Sequence, residues 1–134
     1  MKQLLEKLTE DLFKPYSEDE YIKSLDTQEK LDAALMEQLD AGDGFDVPLI
    51  KRLILAGANI DLQGDYEETP LMRAIDFGEL NLVKWLVQHG ADTTIEDFDG
   101  DTAEEWAMGL MYKDIAKYLA SVKKFRLKNE VIIR

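Results

Sequence analysis

The spacing of apolar residues along the chain predicts a series of short amphipathic helices. From residue 28 to residue 41 the apolar positions recur at intervals of three and four, which is the spacing of one helical face; they are Leu31, Ala34, Leu35 and Leu39. Asp46 and Pro48 mark the start of the next helix, because an acidic side chain caps free amides and proline suits the first turn. Gly57 ends that helix.

Two helices are predicted before this region. Residues 3–13 carry leucines at helical spacing (Leu4, Leu5, Leu8 and Leu12), and Pro15 ends the segment. Ser17 and Glu20 have the spacing of a capping box, in which each side chain accepts a hydrogen bond from the backbone of the other residue. We therefore expect a second, short helix to begin there.

The pattern then returns with a period of 33 residues. Gly57-Ala58-Asn59 recurs as Gly90-Ala91-Asp92, and Thr69 recurs as Thr102 at the same offset. An offset that stays constant over several positions is the signature of a structural repeat. Within each unit, the threonine suits the start of a first helix and the glycine suits the end of a second.

A 33-residue unit of turn, helix, turn and helix resembles the ankyrin repeat. Thr69-Pro70-Leu71-Met72 is similar to the Thr-Pro-Leu-His motif of that family, with Met in place of His. Residues 82–92 are similar to its second helix and following turn. The resemblance departs at Ala103-Glu104-Glu105, which suits a terminal repeat that faces water. Met111-Tyr112 stands where Gly78-Glu79 would recur, so we expect a different turn there.

The resemblance implies a single all-α domain, an ankyrin-repeat solenoid of stacked helix-turn-helix units with extra N-terminal helices. Its units are a helical N-terminal cap (1–26), a degenerate first repeat (27–58), a full repeat (59–91), a terminal repeat (92–124) and a basic and apolar tail (125–134). The end of the tail, Val131-Ile132-Ile133, either folds back on the domain or forms a strand-like segment that adds to a partner's sheet.

Ankyrin repeats bind partners through their turn tips and the inner face of their first helices, and the resemblance implies the same positions here. The matching residues are Asp65, Tyr66, Glu68, Asp76, Phe77, Glu96, Phe98, Asp99, Asp101 and Leu110. Three of them are aromatic at positions that the fold does not need for its core, and acids surround them, as in many interfaces. The alternative is that the acids are simply solvated and Phe98 packs against its neighbours.

The charge of the chain narrows the class of partner. Its 28 acidic and 16 basic residues give a net charge of −12. Nucleic acids and anionic membranes are bound through Lys and Arg, so this charge argues against both. It favours a basic protein, although solubility alone would also account for it. No apolar run is long enough to cross a bilayer, and we expect a cytoplasmic protein that is monomeric when free.

The sequence offers little for catalysis, and we expect no enzyme activity, cofactor or metal. It has no cysteine, and its single histidine, His89, lies at a predicted helix end where a structural role is expected. Asp97, Asp99 and Asp101 alternate as calcium ligands do. The glycine that a calcium loop requires would fall at Thr102, however, and a repeat turn explains the acids without a metal.

Three functions follow, in order of preference. The first is a dedicated inhibitor of a basic partner, similar to the immunity proteins that bacteria make against their own toxins. The second is a general adaptor or regulatory subunit that bridges partners. The third, much less favoured, is an enzyme.

Overall fold

The computed structural model describes residues 17–42 and 45–133, with the side chains up to residue 126. The helix predicted over residues 3–13 lies outside this part of the chain. The described residues form seven helices and no strand: α1 Glu18–Ser24, α2 Gln28–Leu39, α3 Val47–Leu55, α4 Pro70–Asp76, α5 Leu80–Gln88, α6 Ala103–Gly109 and α7 Lys113–Ile133. The all-α prediction is confirmed.

The predicted caps begin these helices. The Thr69 hydroxyl accepts a hydrogen bond from the Met72 amide at 3.3 Å, and Thr102 does the same for the Glu105 amide at 3.4 Å. Asp46 accepts from the Leu49 amide at 3.1 Å. Each cap satisfies one of the amides that a helix start leaves without a partner, so the sequence alone sets where these helices begin.

The helices pack as three successive pairs. Helix α2 packs on α3, α4 on α5, and α6 on α7, while α4 also contacts α6 and α5 contacts α7. This is the packing of a solenoid, in which each unit buries its apolar face against the next. The first two pairs fall within the first two predicted repeats, and the third pair begins within the terminal repeat (92–124) and continues past its predicted end. The boundaries of the repeats stay predictions.

The core consists of two buried clusters joined at one place. One cluster lies between α2 and α3 and includes Leu35 and Leu53, and the other fills the two following pairs. Phe45 and Ile54 pack against both clusters. Helix α1 covers the first cluster with partly buried Tyr21 and Ile22, and Leu25, directly after the helix, does the same. It is also held by Arg52 of α3, whose Nη1 lies 2.8 Å from the Glu18 carboxylate.

The last pair shows how the stack ends. Ile75 of α4 is fully buried because α6 covers it, whereas Met108, at the same place in α6, is 63% exposed. Glu104 replaces the buried Leu71 in the same way and is only partly buried. Glu104 thus puts a charge on the outer face of the last repeat, as the sequence predicted for a terminal unit, while Met108 leaves an apolar side chain exposed there.

The turn between α6 and α7 corrects one prediction. Met111 adopts a left-handed backbone with φ 63°, close to the 68° of Gly78 in the preceding repeat. The Tyr112 amide donates to Ala107 C=O, just as the Glu79 amide donates to Ala74 C=O. The turn is therefore the same in both repeats, although position 111 carries a side chain where position 78 is glycine.

The tail also differs from its description as a separate segment. Helix α7 runs without a break from Lys113 to Ile133. The backbone of residues 125–133 is thus helical, and the segment continues the last helix as neither a separate folded-back tail nor a strand. Pairing of this segment with a partner's sheet stays an untested prediction.

Candidate partner-binding site

Two neighbouring turn tips are tied together by backbone hydrogen bonding. The Phe98 amide donates to the Tyr66 carbonyl at 2.9 Å. The Gln63 side chain also donates to the Glu67 carbonyl at 2.9 Å within the first of these turns. The side chains of Tyr66 and Phe98 are each 74% exposed. Both aromatic rings thus project from backbone that is already ordered, which lowers the entropy that binding must overcome.

Asp97 organises the second of these turns. One of its oxygens accepts from the amides of Asp101 at 2.8 Å and Asp99 at 3.0 Å. The other accepts from the Trp106 indole at 2.6 Å. Burial opposes its ionisation, but the hydrogen bonds from Asp101, Trp106 and Asp99 prevail and hold the pKa of Asp97 below its ordinary value. The carboxylate therefore fixes both the loop and the indole ring.

Glu68 performs the corresponding task in the first turn. Gly64 stands where Asp97 stands one repeat later, so this turn lacks that carboxylate. Glu68 is buried at 7% exposure, and its Oε2 accepts from the Tyr66 amide at 2.8 Å. A β-carbon on Gly64 would collide with the Glu68 carboxylate. A side chain at position 64 would force the buried Glu68 carboxylate to move, because the glutamate folds back into the space that an aspartate would occupy.

A groove of about 630 Å³ lies between the turn tips and the inner ends of the first helices. Its lining consists of five carboxylates, one guanidinium and three aromatic side chains: Asp40, Asp65, Glu68, Asp97, Asp99, Arg73, Tyr66, Phe98 and Trp106. Arg73 donates to Asp40 at 2.6 Å, and its Nε lies 3.9 Å from the Glu68 carboxylate. The single cation of the lining is therefore already paired within the protein.

The groove gathers half of the residues that the sequence predicted for partner binding. Asp65, Tyr66, Glu68, Phe98 and Asp99 line it. Glu68 has an internal role because its carboxylate is buried against its own turn. The remaining predicted residues lie outside the lining: Asp76, Phe77, Glu96, Asp101 and Leu110.

Phe77 differs from the expectation that the fold does not need it. Its ring stacks on Phe45, with centroids 4.4 Å apart and planes at 26°. Phe45 contacts both core clusters, so Phe77 belongs to the packing that joins the first repeat to the second. The side chain is partly buried, whereas Phe98 is mostly exposed as the partner-binding prediction requires.

Four lining residues did not appear in the predicted site: Asp97, Asp40, Arg73 and Trp106. The last three occupy one position in three successive repeats, 33 residues apart. The 33-residue period was the signal that could have found all three, because residues at one repeat position line up along the stack.

Charge is concentrated beside the groove. Partial burial, a hydrogen bond with Glu105 and repulsion from the carboxylates of Asp97 and Asp99 raise the pKa of Asp101. A raised pKa means that ionisation of this carboxyl is opposed by its neighbours. A cation that approaches this end of the repeat turns would relieve that repulsion.

The described residues lack two features that would indicate other functions. Residues 17–42 and 45–133 contain no group of three or more Asp, Glu or His side chains placed to hold a metal ion. Across this part of the chain, no helix combines the length and the apolar character needed to cross a membrane. The alternating acids from Asp97 to Asp101 are arranged around backbone amides and an indole.

Comparison with known proteins identifies relatives for most of the chain. The matched segments are 33% identical to human Ankyrin repeat domain-containing protein 37 over 85 residues, 36% to human Espin-like protein over 75, and 51% to mouse Palmitoyltransferase ZDHHC13 over 53. They cover 63%, 56% and 39% of this chain, respectively. They span 53%, 7% and 8% of those relatives, so the likeness concerns one region of each.

A family model described as ankyrin repeats, in three copies, matches residues 38–129. Ankyrin repeats are protein-protein interaction modules and are in general non-catalytic. With three stacked helix pairs, capped repeat starts and this match, the chain belongs to the ankyrin-repeat family.

Proposed function

We propose that this chain is a non-catalytic module that binds a basic protein through the groove and the two turn tips beside it. The observation that carries the proposal is the lining itself, with five carboxylates against a single guanidinium. Like charges gathered on one face repel one another, and a basic partner converts that repulsion into attraction.

The arrangement of the carboxylates supports this partner class. Glu68 and Asp97 bind backbone amides of their own turns, and Asp40 binds Arg73. Asp65 and Asp99 are exposed on the turn tips, next to Tyr66 and Phe98. Exposed acids beside exposed aromatic rings match the common interface pattern of aromatic anchors with a charged rim.

The finer form of the function is inhibition of the partner, as an immunity protein neutralises a toxin. An inhibitor of this kind gains association rate from opposite charges, and its single face suffices to cover one partner. A general adaptor is the alternative, and it would bind a second protein through another surface. The inhibitor form rests on the charge of the chain, and the relatives described above neither favour nor oppose it.

A capture experiment tests the proposal. The wild type is compared with a groove variant, Tyr66→Ala/Phe98→Ala, and a charge variant, Asp65→Asn/Asp99→Asn, as bait in a lysate of the source cell. The matched control is Leu55→Ala/Phe125→Ala, which removes two side chains that are 67% and 64% exposed and lie outside the groove. All four residues of the groove and charge variants are exposed, so circular dichroism should show unchanged folding.

We expect the wild type and the control to capture a basic protein. The groove variant and the charge variant should both fail to capture it. Its association rate should fall steeply as salt rises, because the Debye length shrinks to roughly 3 Å at 1 M salt. Capture that is equal in all variants would place the interface elsewhere and contradict the proposal. A purified partner whose own activity is lost on binding separates the inhibitor from the adaptor.

The other expectations from the sequence stay predictions. They are the cytoplasmic location, the monomeric free state and the absence of enzyme activity. A hydrolase screen with purified protein tests the last of these, and an activity abolished by His89→Ala would contradict it.

A further inference from the structure

The groove has an aromatic floor that is held in one orientation. Trp106 is partly buried, and its indole N–H donates to Asp97 at 2.6 Å. Asp97 is itself fixed by the amides of its own turn, so the ring cannot rotate without breaking its hydrogen bond to a positioned carboxylate. The faces of aromatic rings carry negative charge and attract cations within about 6 Å of the ring centre.

The sides of the groove also carry aromatic rings beside carboxylates. Tyr66 and Phe98 are exposed on turns that are joined by the amide-to-carbonyl hydrogen bond of 2.9 Å. Asp65 and Asp99 lie beside them on the same turns. Three aromatic rings and two exposed carboxylates therefore border one space, whose volume of about 630 Å³ exceeds that of one side chain and leaves room for adjoining backbone.

The protein's own arginine does not occupy the space between the aromatic rings. Arg73 is bound to Asp40 at 2.6 Å and lies close to Glu68, so its guanidinium is occupied at the inner end of the groove. The pairing compensates the one positive charge of the lining, which would otherwise repel a cation. It leaves the outer part of the groove, between Asp65, Asp99 and the aromatic rings, with uncompensated negative charge.

We propose that this groove binds an arginine side chain carried by an extended basic segment of the partner. The guanidinium stacks on the aromatic rings and forms charged hydrogen bonds with Asp65 and Asp99. Arginine fits better than lysine because its guanidinium is planar, weakly hydrated and able to bond two carboxylate oxygens at once. The inference rests on the proposed binding of a basic protein and adds which side chain is recognised.

The test uses short peptides in place of the unidentified partner. The probe is acetyl-Gly-Gly-Arg-Gly-Gly-amide, compared with peptides in which lysine, citrulline or norleucine replaces the arginine. Citrulline keeps nearly the shape of arginine and removes its charge, while norleucine keeps only the apolar stem. Binding is followed by ¹H–¹⁵N NMR at the indole N–H of the two tryptophans.

The second tryptophan supplies an internal control. Trp85 lies outside the groove lining, stacked on His89 with ring centroids 3.9 Å apart. The arginine peptide should shift the Trp106 indole and the amides of residues 98 and 99 with millimolar affinity, and leave the Trp85 indole in place. The citrulline and norleucine peptides should bind at least about fivefold more weakly, and lysine about two- to fivefold more weakly.

Variants identify the groups responsible. Phe98→Ala should weaken binding of the arginine peptide about two- to fivefold, the usual range for a cation on an exposed aromatic ring. Asp65→Asn/Asp99→Asn should weaken it by at least about as much. Asp114→Asn, which removes an exposed carboxylate outside the groove, should change nothing.

Two results would overturn the inference. One is equal binding of the arginine and citrulline peptides, and the other is no shift of Trp106 at about 10 mM arginine peptide. If either result is found while the groove and charge variants still lose the protein captured from the lysate, the proposed function stands and only the recognition of arginine is rejected. Equal capture by all variants would reject the proposed function independently of the peptides.

Discussion

The left-handed turn at Met111 leads to a quantitative prediction about stability. A residue with a β-carbon loses roughly 1–2 kcal/mol in this region of backbone space, because the β-carbon crowds the following carbonyl. Met111 has φ 63° and a side chain that is 78% exposed, so its strain is not offset by burial. Replacing it with glycine removes the strain and loses little packing.

The gain is smaller than the strain. Glycine also has more freedom in the unfolded chain, which costs roughly 0.5–1 kcal/mol on folding. The difference predicts that Met111→Gly stabilises the protein by about 0.5–1 kcal/mol. For a domain of this size, that corresponds to an increase of roughly 2–4 °C in melting temperature, or a few tenths of a molar in the urea midpoint.

The assay is urea unfolding followed by circular dichroism, with two matched variants. Met111→Ala shortens the side chain but keeps the β-carbon, so its midpoint should stay near that of the wild type. Gly78→Ala places a β-carbon at φ 68°, about 3.2 Å from the Tyr112 ring, and should destabilise the protein by at least about 1 kcal/mol. The slope of each transition should be unchanged, which keeps the comparison two-state.

The result that would refute this reasoning is a Met111→Gly midpoint equal to or below that of Met111→Ala. Strain at Met111 would then contribute nothing, and the turn would be set by interactions of the side chain itself.

The remaining predictions concern the turns and the core. Asp97→Asn should cost about 1–3 kcal/mol, since its amide group cannot accept from all the donors that the carboxylate satisfies. Folding lowers the pKa of Asp97 from its ordinary value of 3.8, so the Asp97 carboxylate stabilises the folded protein at any pH above that value. This stabilisation is lost as the pH falls below 3.8 and passes through the lower pKa that Asp97 has in the folded protein. Melting temperatures of wild type and variant should therefore converge in that acidic range, and a gap that persists unchanged would contradict the assignment. Gly64→Ala should destabilise the protein by about 1–3 kcal/mol because the new β-carbon meets the Glu68 carboxylate. The same substitution should cost less in a protein that also carries Glu68→Ala. Equal costs with and without Glu68→Ala would show that the contact is irrelevant. Ile75→Ala should cost about 2–5 kcal/mol in urea unfolding, whereas Met108→Ala at the same repeat position should cost under about 0.5, and similar values would mean that Met108 is covered in solution.

The sequence by itself determined the elements and their stacking. Capping residues such as Thr69 and Asp46 act on amides three residues away, so their effect depends only on local chain. The 33-residue period is likewise a property of the sequence, and it implied that successive helix pairs bury the same face against one another. The sequence also placed acidic and aromatic residues on neighbouring turn tips, because turn tips lie at fixed positions in each repeat; their role in partner binding stays a prediction.

Only the tertiary structure decided which of those residues share a site. Arg73 meets Asp40 from the preceding repeat, and Phe98 bonds to Tyr66 across two turns. Contacts of this kind depend on the distance and rotation between neighbouring repeats, which packing of the whole stack sets. For the same reason the sequence placed Glu68 among the partner contacts and missed its burial, since the space it fills exists only because position 64 has no side chain.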